Sequence, residues 1–275
     1  MKKHLLSIAA ALSLAFGAYA GLPYAPLALP AGAHHPVLSP DGKTLLFSSD
    51  NHRGLKAYSM TDGTVSEIDE AASAGFEPVF STDSRTIYYR TAEMRDGLLY
   101  RDVRAFNIQS GKHRQLAKAT REHVNIAALG AADYAVADYQ DICVRRNGVE
   151  KRIRPVADSH SYLWATLSSE GQLLFSEPFQ GVFVCDADGN NAKKLLPKGD
   201  FTSWAGKDKI IAVVTYDDGY VVLSSKLVMV DTRTGETTQL TDDDMLVGEA
   251  TASETGTVIF SDINGNMFIL NLNDR

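Results

Sequence analysis

One stretch of this chain constrains its fold more than any other. Ser39-Pro40-Asp41-Gly42-Lys43-Thr44-Leu45-Leu46-Phe47-Ser48 is a turn followed at once by an apolar run, and it recurs in weaker form along the sequence. The apolar run Leu45-Leu46-Phe47 returns as Ile87-Tyr88-Tyr89, Leu173-Leu174-Phe175 and Val258-Ile259-Phe260, with weaker copies at Tyr134-Ala135-Val136 and Ile210-Ile211-Ala212. Short apolar runs bounded by turn residues read as strands buried on both faces. The turn ahead of them has its own chemistry. Pro40 presets the first turn angle, the Asp41 carboxylate can accept a backbone N–H, and Gly42 takes the left-handed position. Later copies keep small or polar residues there: Thr82-Asp83-Ser84, Ser169-Glu170-Gly171 and Glu254-Thr255-Gly256.

A second element follows each copy. The hairpin signals Asp62-Gly63, Ser110-Gly111, Asn147-Gly148, Asp188-Gly189 and Thr234-Gly235 each precede an apolar residue: Ile68, Leu116, Ile153, Leu195 and Leu240. Four of these lie five positions past the glycine and one lies six past it. A unit of about 40 residues holding four short strands, repeated radially, predicts an all-β fold, a six-bladed β-propeller. The units begin near residues 35, 77, 123, 162, 201 and 248. The sixth ends after a good third strand, Asn266 to Leu272, with its outer strand missing. Tyr24 to Leu29 is the expected replacement, so that the N-terminal strand closes the ring in the last blade. Pro23 and Pro26 suit an outermost strand and no other.

Residues 1–20 are expected to be a signal peptide: Lys2 and Lys3 give a basic start, Leu5 to Ala18 is apolar, and Ala18-Tyr19-Ala20 is a small-x-small cleavage site. The propeller then occupies residues 21–275, in the periplasm or outside the cell. Cleavage takes the basic count from 27 to 25 against 34 acidic residues, and the net charge from −7 to −9. Such a balance argues against nucleic acid as a partner. No later stretch is long and apolar enough for membrane insertion, and a monomer is expected. Cys143 and Cys185 stand five and four residues before their turn glycines, which points their side chains to opposite faces and predicts two packed free thiols. The basic residues Arg145, Arg146, Lys151, Arg152 and Arg154 read as a solvated hairpin, and the acidic runs 186–190 and 242–244 as turns.

The 39–48 motif resembles the Pro-Asp repeat of WD40-like propellers, the family that includes the C-terminal domain of TolB and the N-terminal propellers of prolyl oligopeptidase relatives. Asp231-Thr232-Arg233-Thr234-Gly235 and Asp186-Ala187-Asp188-Gly189 match the same pattern. The resemblance covers 35–275, with the third repeat poor. It implies a fold and not a chemistry. Only the fourteen residues 21–34 separate the cleavage site from the first blade, so the α/β domain that precedes the TolB propeller has no counterpart in this sequence. The hydrolase elbow Gly-x-Ser-x-Gly of the peptidase relatives is also missing.

The loops that enter each innermost strand surround one opening of such a ring. They carry His34 and His35, Phe76 and Glu77, His123 and Asn125, His160, Tyr162 and Trp164, Phe201 and Trp204, and Glu249. Aromatic residues are enriched where partners bind. His35, Phe76, Glu77, His123, His160, Tyr162, Trp164, Trp204 and Glu249 are therefore the candidate ligand-binding rim of a non-catalytic binding or scaffold module. Its partner would be an envelope protein or a cell-wall glycan or peptide, with no cofactor. The alternative is an enzyme, a metal-assisted polysaccharide lyase or hydrolase in which His35, Glu77, His123 and His160 converge on a divalent ion, as imidazole and carboxylate can. Oligogalacturonate lyases are propellers with metal-bound histidines in the funnel. The competing structural role for Trp164 and Trp204 is packing between blades.

Overall fold

The computed structural model describes residues 23–122 and 124–273; the expected signal peptide and His123 lie outside the described residues. Strand β1 (Tyr24–Pro26) precedes six sheets. Blade 1 is β2 (His34–Leu38), β3 (Thr44–Ser48), β4 (Leu55–Ser59) and β5 (Val65–Asp69). Blade 2 is β6 (Val79–Phe80), β7 (Thr86–Arg95), β8 (Leu98–Asn107) and β9 (Lys112–Thr120). A single helical turn, α1 (Ala127–Gly130), then leads into blade 3: β10 (Tyr134–Asp138), β11 (Asp141–Arg146) and β12 (Val149–Ile153). Blade 4 is β13 (Leu163–Leu167), β14 (Gln172–Glu177), β15 (Gly181–Asp186) and β16 (Lys193–Leu196). Blade 5 is β17 (Asp200–Trp204), β18 (Lys209–Asp217), β19 (Val222–Asp231) and β20 (Thr237–Gln239). Blade 6 is β21 (Val247–Ala252), β22 (Thr257–Asp262) and β23 (Met267–Asn271), completed by β1 in the order β1-β23-β22-β21.

The ring closes as expected. Tyr24 pairs with Leu270 and Pro26 with Phe268, and the Leu27 N–H reaches the Met267 carbonyl at 2.8 Å. Pro26 sits on an edge, where its missing N–H leaves no ladder bond unmade. Tyr24 seals the joint by packing edge-on against Phe260 and Phe268, at 5.5 and 5.6 Å between ring centroids.

The second strand of each blade feeds two cores at once. Leu46 packs toward blade 2 and Leu45 toward blade 6; Leu174 packs toward blade 5 and Leu173 toward blade 3. Ile210 and Ile211, and Val258 and Ile259, divide in the same way. Successive strand residues point to opposite faces, and in this ring both faces are seams between blades. All eight of these side chains are fully buried, which is why the runs carry no polar alternation.

The turn before that strand is held by its serine more than by its proline. Ser39 is completely buried; its Oγ donates to Asp41 Oδ1 at 2.7 Å and accepts the N–H groups of Lys43 and Thr44. Ser81, Ser168 and Ser253 repeat the arrangement toward Thr86, Gln172 and Thr257. Gly42, at φ +71°, leaves no room for a Cβ, which would lie 2.9 Å from Thr255 Oγ1 of the neighbouring blade.

One unit departs from the expected four strands. Blade 3 has three, and α1 stands where its innermost strand would run. Residues 124–133 lack the Ser-x-Asp turn, although blade 5 forms its hairpin through Ala205-Gly206 without one. The seam with blade 2 is filled instead by Ile126, nearly fully buried, and by Gly130, whose Cβ would lie 2.7 Å from the Phe80 carbonyl oxygen. Both cysteines are free and buried, as the offset predicted. Among the described residues no helix is long and apolar enough to cross a membrane.

Candidate functional site

Strands alternate direction within a blade, so the loops divide cleanly between the two faces of the ring. The hairpin tips between second and third strands share one face with the connections that enter each blade. The Ser-x-Asp turns and the Gly turns occupy the other.

The tip face is where the innermost strands are distorted. Pairing in blade 1 runs from His34–Ser48 to Val37–Leu46, so two residues oppose one. Blade 4 shows the same bulge between Leu163 and Thr166, blade 5 between Asp200 and Ser203, and blade 6 between Val247 and Ala250. In blades 1, 4 and 5 the first bulged residue has positive φ: His35 at 56°, Trp164 at 49° and Phe201 at 50°. Glu77, two residues before blade 2 regains pairing at Val79, matches them at 47°. A non-glycine residue in this region costs about 1 kcal/mol or more. Bulges re-aim side chains. Trp164 and Phe201 meet across the blade 4–5 seam at 5.4 Å.

His35 lies at the seam between the first and last blades. Its backbone N–H and its ring Nδ1 each reach a Glu249 carboxylate oxygen at 2.7 Å, and its Nε2 faces the Asp50 carbonyl at 2.9 Å. Both ring nitrogens therefore face acceptors, an arrangement satisfied only by the doubly protonated ring. The Glu249 bond holds the His35 pKa above its ordinary value against the opposing effect of burial. Burial pulls the Glu249 carboxyl the other way, but the bonds from His35 outweigh it and leave it lowered. His52 stacks on His35 and meets Phe76 edge-on at 5.1 Å; burial, then the charge of His35, pushes it down. An imidazolium has no lone pair to offer a metal, so His35 in this position is a closure element. Among the described residues no group of three or more His, Cys, Asp or Glu is arranged to hold an ion.

The remaining rim candidates separate. Phe76 and Glu77 are exposed on the tip face. His160 is exposed too; its N–H bonds to Glu177 at 3.1 Å, and its ring meets Phe179 edge-on at 5.5 Å. Tyr162 and Trp204 do not belong to the rim surface. Tyr162 is buried edge-on against Phe175 with its hydroxyl on the Val156 carbonyl, and Trp204 is buried in the blade 4–5 core with Nε1 on the Thr166 carbonyl. Trp204 ends an inner strand that runs away from the tip face, which carries it into the seam.

The hairpin tips themselves carry no mark in the sequence pattern. Fifteen large apolar side chains are exposed among the described residues, and twelve of them lie on the tip face. Tyr220, Tyr139 and Phe179 are 95%, 85% and 77% exposed at the tips of blades 5, 3 and 4. Met94, Leu98 and Leu99 cap blade 2, and Ile263 caps blade 6. The tips are held by their own carboxylates. Buried Glu177 accepts the N–H groups of Phe179 and Gln180 at 2.7 and 2.6 Å; Asp218 accepts those of Tyr220 and Val221, both at 2.9 Å.

The same face is acidic. Its tips (49–54, 93–98, 138–141, 177–181, 217–222, 262–266) and connections (69–78, 118–122, 154–162, 197–201, 241–249) carry 19 acidic and 6 basic residues. On the opposite face, segments 39–44, 60–65, 81–86, 107–112, 131–133, 146–149, 168–172, 186–193, 205–209, 231–237, 252–257 and 271–273 carry 11 and 8.

No family model and no curated protein matches the chain. Solved structures do. A protein assigned as TolB from Agrobacterium tumefaciens is 18% identical with a TM-score of 0.54, over 86% of this chain and 87% of that one. TolB from Acinetobacter baumannii is 14% identical with a TM-score of 0.53, over 83% of this chain and 56% of that one. An acylaminoacyl peptidase of Pyrococcus horikoshii is 13% identical with a TM-score of 0.51, over 84% of this chain and 41% of that one. The chain thus spans about half the length of the last two. At such identities the likeness is one of fold, and the fold is a TolB-like six-bladed propeller.

Proposed function

We propose that this chain is an exported, non-catalytic binding or scaffold module, released near Ala20 into the periplasm or medium, whose hairpin-tip face docks a cell-envelope protein, peptide or glycan. The observation that carries the reading is the segregation of exposed apolar side chains: twelve of fifteen on one face, several on tips fixed by buried or hydrogen-bonded carboxylates. This one-sided distribution marks the tip face, and not the opposite one, as the side with apolar anchors to offer a partner. Side chains held in their bound geometry lose less entropy on docking. The fold analogy with TolB agrees with a binding role but is a weaker warrant.

The test is capture of envelope components on immobilised residues 21–275, with the double variant Phe179→Ser, Tyr220→Ser alongside. A component retained by the native protein and released by the double variant supports the reading. Equal retention by both moves the site elsewhere, and an envelope-wide failure to retain anything sinks the binding role.

A further inference from the structure

The tip face combines two properties that together specify a partner. It presents isolated apolar side chains on stiff loops, and it carries 19 acidic against 6 basic residues. We infer that the occupant of this face is a polypeptide segment bearing lysine or arginine interleaved with apolar side chains. This deepens the binding-module reading and rests on it.

Three arguments lead to that chemistry. The first is charge complementarity. The near balance of 11 acidic to 8 basic residues on the opposite face means that most of the excess negative charge of the protein sits on the tip face. A cationic segment is steered there and an anionic one is turned away. The second is the exclusion of a second copy of this chain. Two tip faces brought together would oppose like charges, so the apolar tips are not a self-association patch. The third is geometry. Tyr139, Phe179, Tyr220 and Ile263 sit on four different blades; exposed Asp217 and Asp218 precede Tyr220 and Asp262 precedes Ile263, whereas Asp138 and Asp141 beside Tyr139 are paired with Arg152 and Arg154 and Glu177 beside Phe179 is buried. The arrangement therefore spreads apolar contacts around the ring and sets carboxylates beside those of blades 5 and 6. An extended chain that alternates apolar and basic residues matches such a surface; a neutral sugar would use the aromatics and leave the carboxylates unmatched.

The test selects from a random twelve-residue peptide library displayed on phage against the immobilised mature protein, and then measures the winning peptides by fluorescence anisotropy. The expected result is enrichment of Lys or Arg together with aromatic or aliphatic residues. The Kd should rise about tenfold between low and physiological salt, as screening of exposed charges requires. Phe179→Ser with Tyr220→Ser should weaken binding by about tenfold or more, the loss typical of anchor residues. Val149→Ser on the opposite face should change it less than twofold. Selection of acidic or uncharged peptides that still depend on Phe179 and Tyr220 overturns the cationic partner while leaving a binding face intact. Binding indifferent to both tip substitutions overturns the assignment of the face. No enrichment over uncoated surface overturns this inference and the peptide-binding form of the module reading together. Melting temperatures of the variants, expected to match the parent because the substituted side chains are exposed, separate lost contacts from lost folding.

Discussion

His52 lies flat on His35, with ring centroids 3.8 Å apart and planes 24° apart, and His35 in turn bonds Glu249 of the last blade. The stack joins two histidines pushed in opposite directions, His35 up by Glu249 and His52 down by burial and by the charge of His35. Their contributions to stability therefore have opposite pH dependence. A raised pKa means that the His35–Glu249 contribution is complete below the unfolded value of 6.5 and is lost as pH rises through the higher folded value. A lowered pKa means that the His52 contribution is present above 6.5 and lost as pH falls through its folded value. Glu249, itself lowered, stays ionised across this range. The melting-temperature gap between parent and Glu249→Gln should thus be full near about pH 6 and shrink toward about pH 9. Calorimetry across that interval checks it, and a gap that widens with pH would contradict the imidazolium assignment.

Ring closure depends on Tyr24. Its ring packs on Phe260 and Phe268 and its hydroxyl reaches Asp242 Oδ2 at 2.5 Å. Tyr24→Ala should lower stability by about 2 to 3 kcal/mol, within the range for large-to-small changes at packed aromatics. Tyr24→Phe should cost about 1 kcal/mol, the worth of a partly exposed hydrogen bond. Because β1 begins beside Leu270, near the end of β23, a permutant that places residues 23–31 after residue 273 through a short turn should close blade 6 as an ordinary hairpin. Urea titration measures all three, and a permutant less stable than a plain deletion of residues 23–31 would argue against closure through this pairing.

Ser39 anchors the turn that gives the repeat its signature. Ser39→Ala removes the bonds of the buried hydroxyl to the N–H groups of Lys43 and Thr44 and to the exposed Asp41 carboxylate, which keeps the Lys43 N–H. The expected loss is about 1 to 3 kcal/mol, the net worth of the hydrogen bonds removed. Pro40→Ala removes only a preset turn angle and should cost less than about 1 kcal/mol. Thermal denaturation of the two variants ranks them, and a proline more costly than the serine would mean that the preset angle, and not the buried hydroxyl, holds the turn.

That ranking also explains what the sequence could and could not reveal. The Pro-Asp-Gly spelling is visible in one copy only, yet the serine before it recurs at 81, 168 and 253, and with the Gly turns it makes the six-fold repeat legible. Blade 3 lacks both the serine and its innermost strand, but blade 5 keeps four strands with Ala205 in the serine position, so no spacing argument could single out blade 3. The rim was harder for a physical reason. Positive φ at His35, Glu77, Trp164 and Phe201 breaks the alternation of strand faces, so counting positions cannot say which neighbour points outward. Sequence position puts Tyr162 and Trp204 with the rim residues, and packing takes both inside. The tips stayed hidden because the repeat pattern does not mark Tyr220 or Phe179; the ring topology shows that both stand exposed on one face.

The same left-handed positions give a test of whether the rim is held for use or for stability. Glu77 is exposed and sits at φ +47°, and among the described residues its side chain makes no hydrogen bond or close ion pair, only a longer-range attraction to Arg90 and His52. Glycine adopts this conformation freely, and the strain it relieves exceeds its extra unfolded-state entropy by a small margin. Glu77→Gly should therefore raise stability by up to about 1 kcal/mol, whereas Glu77→Val, with a β-branched side chain in the same conformation, should lower it by about 1 to 2 kcal/mol. Equilibrium unfolding of both variants supplies the values. If the glycine variant gains stability but binds peptides selected on the parent more weakly, the side chain at 77 is retained for docking at the expense of the fold. Equal binding by the two would make Glu77 a bystander at the funnel mouth and confine the docking surface to the hairpin tips.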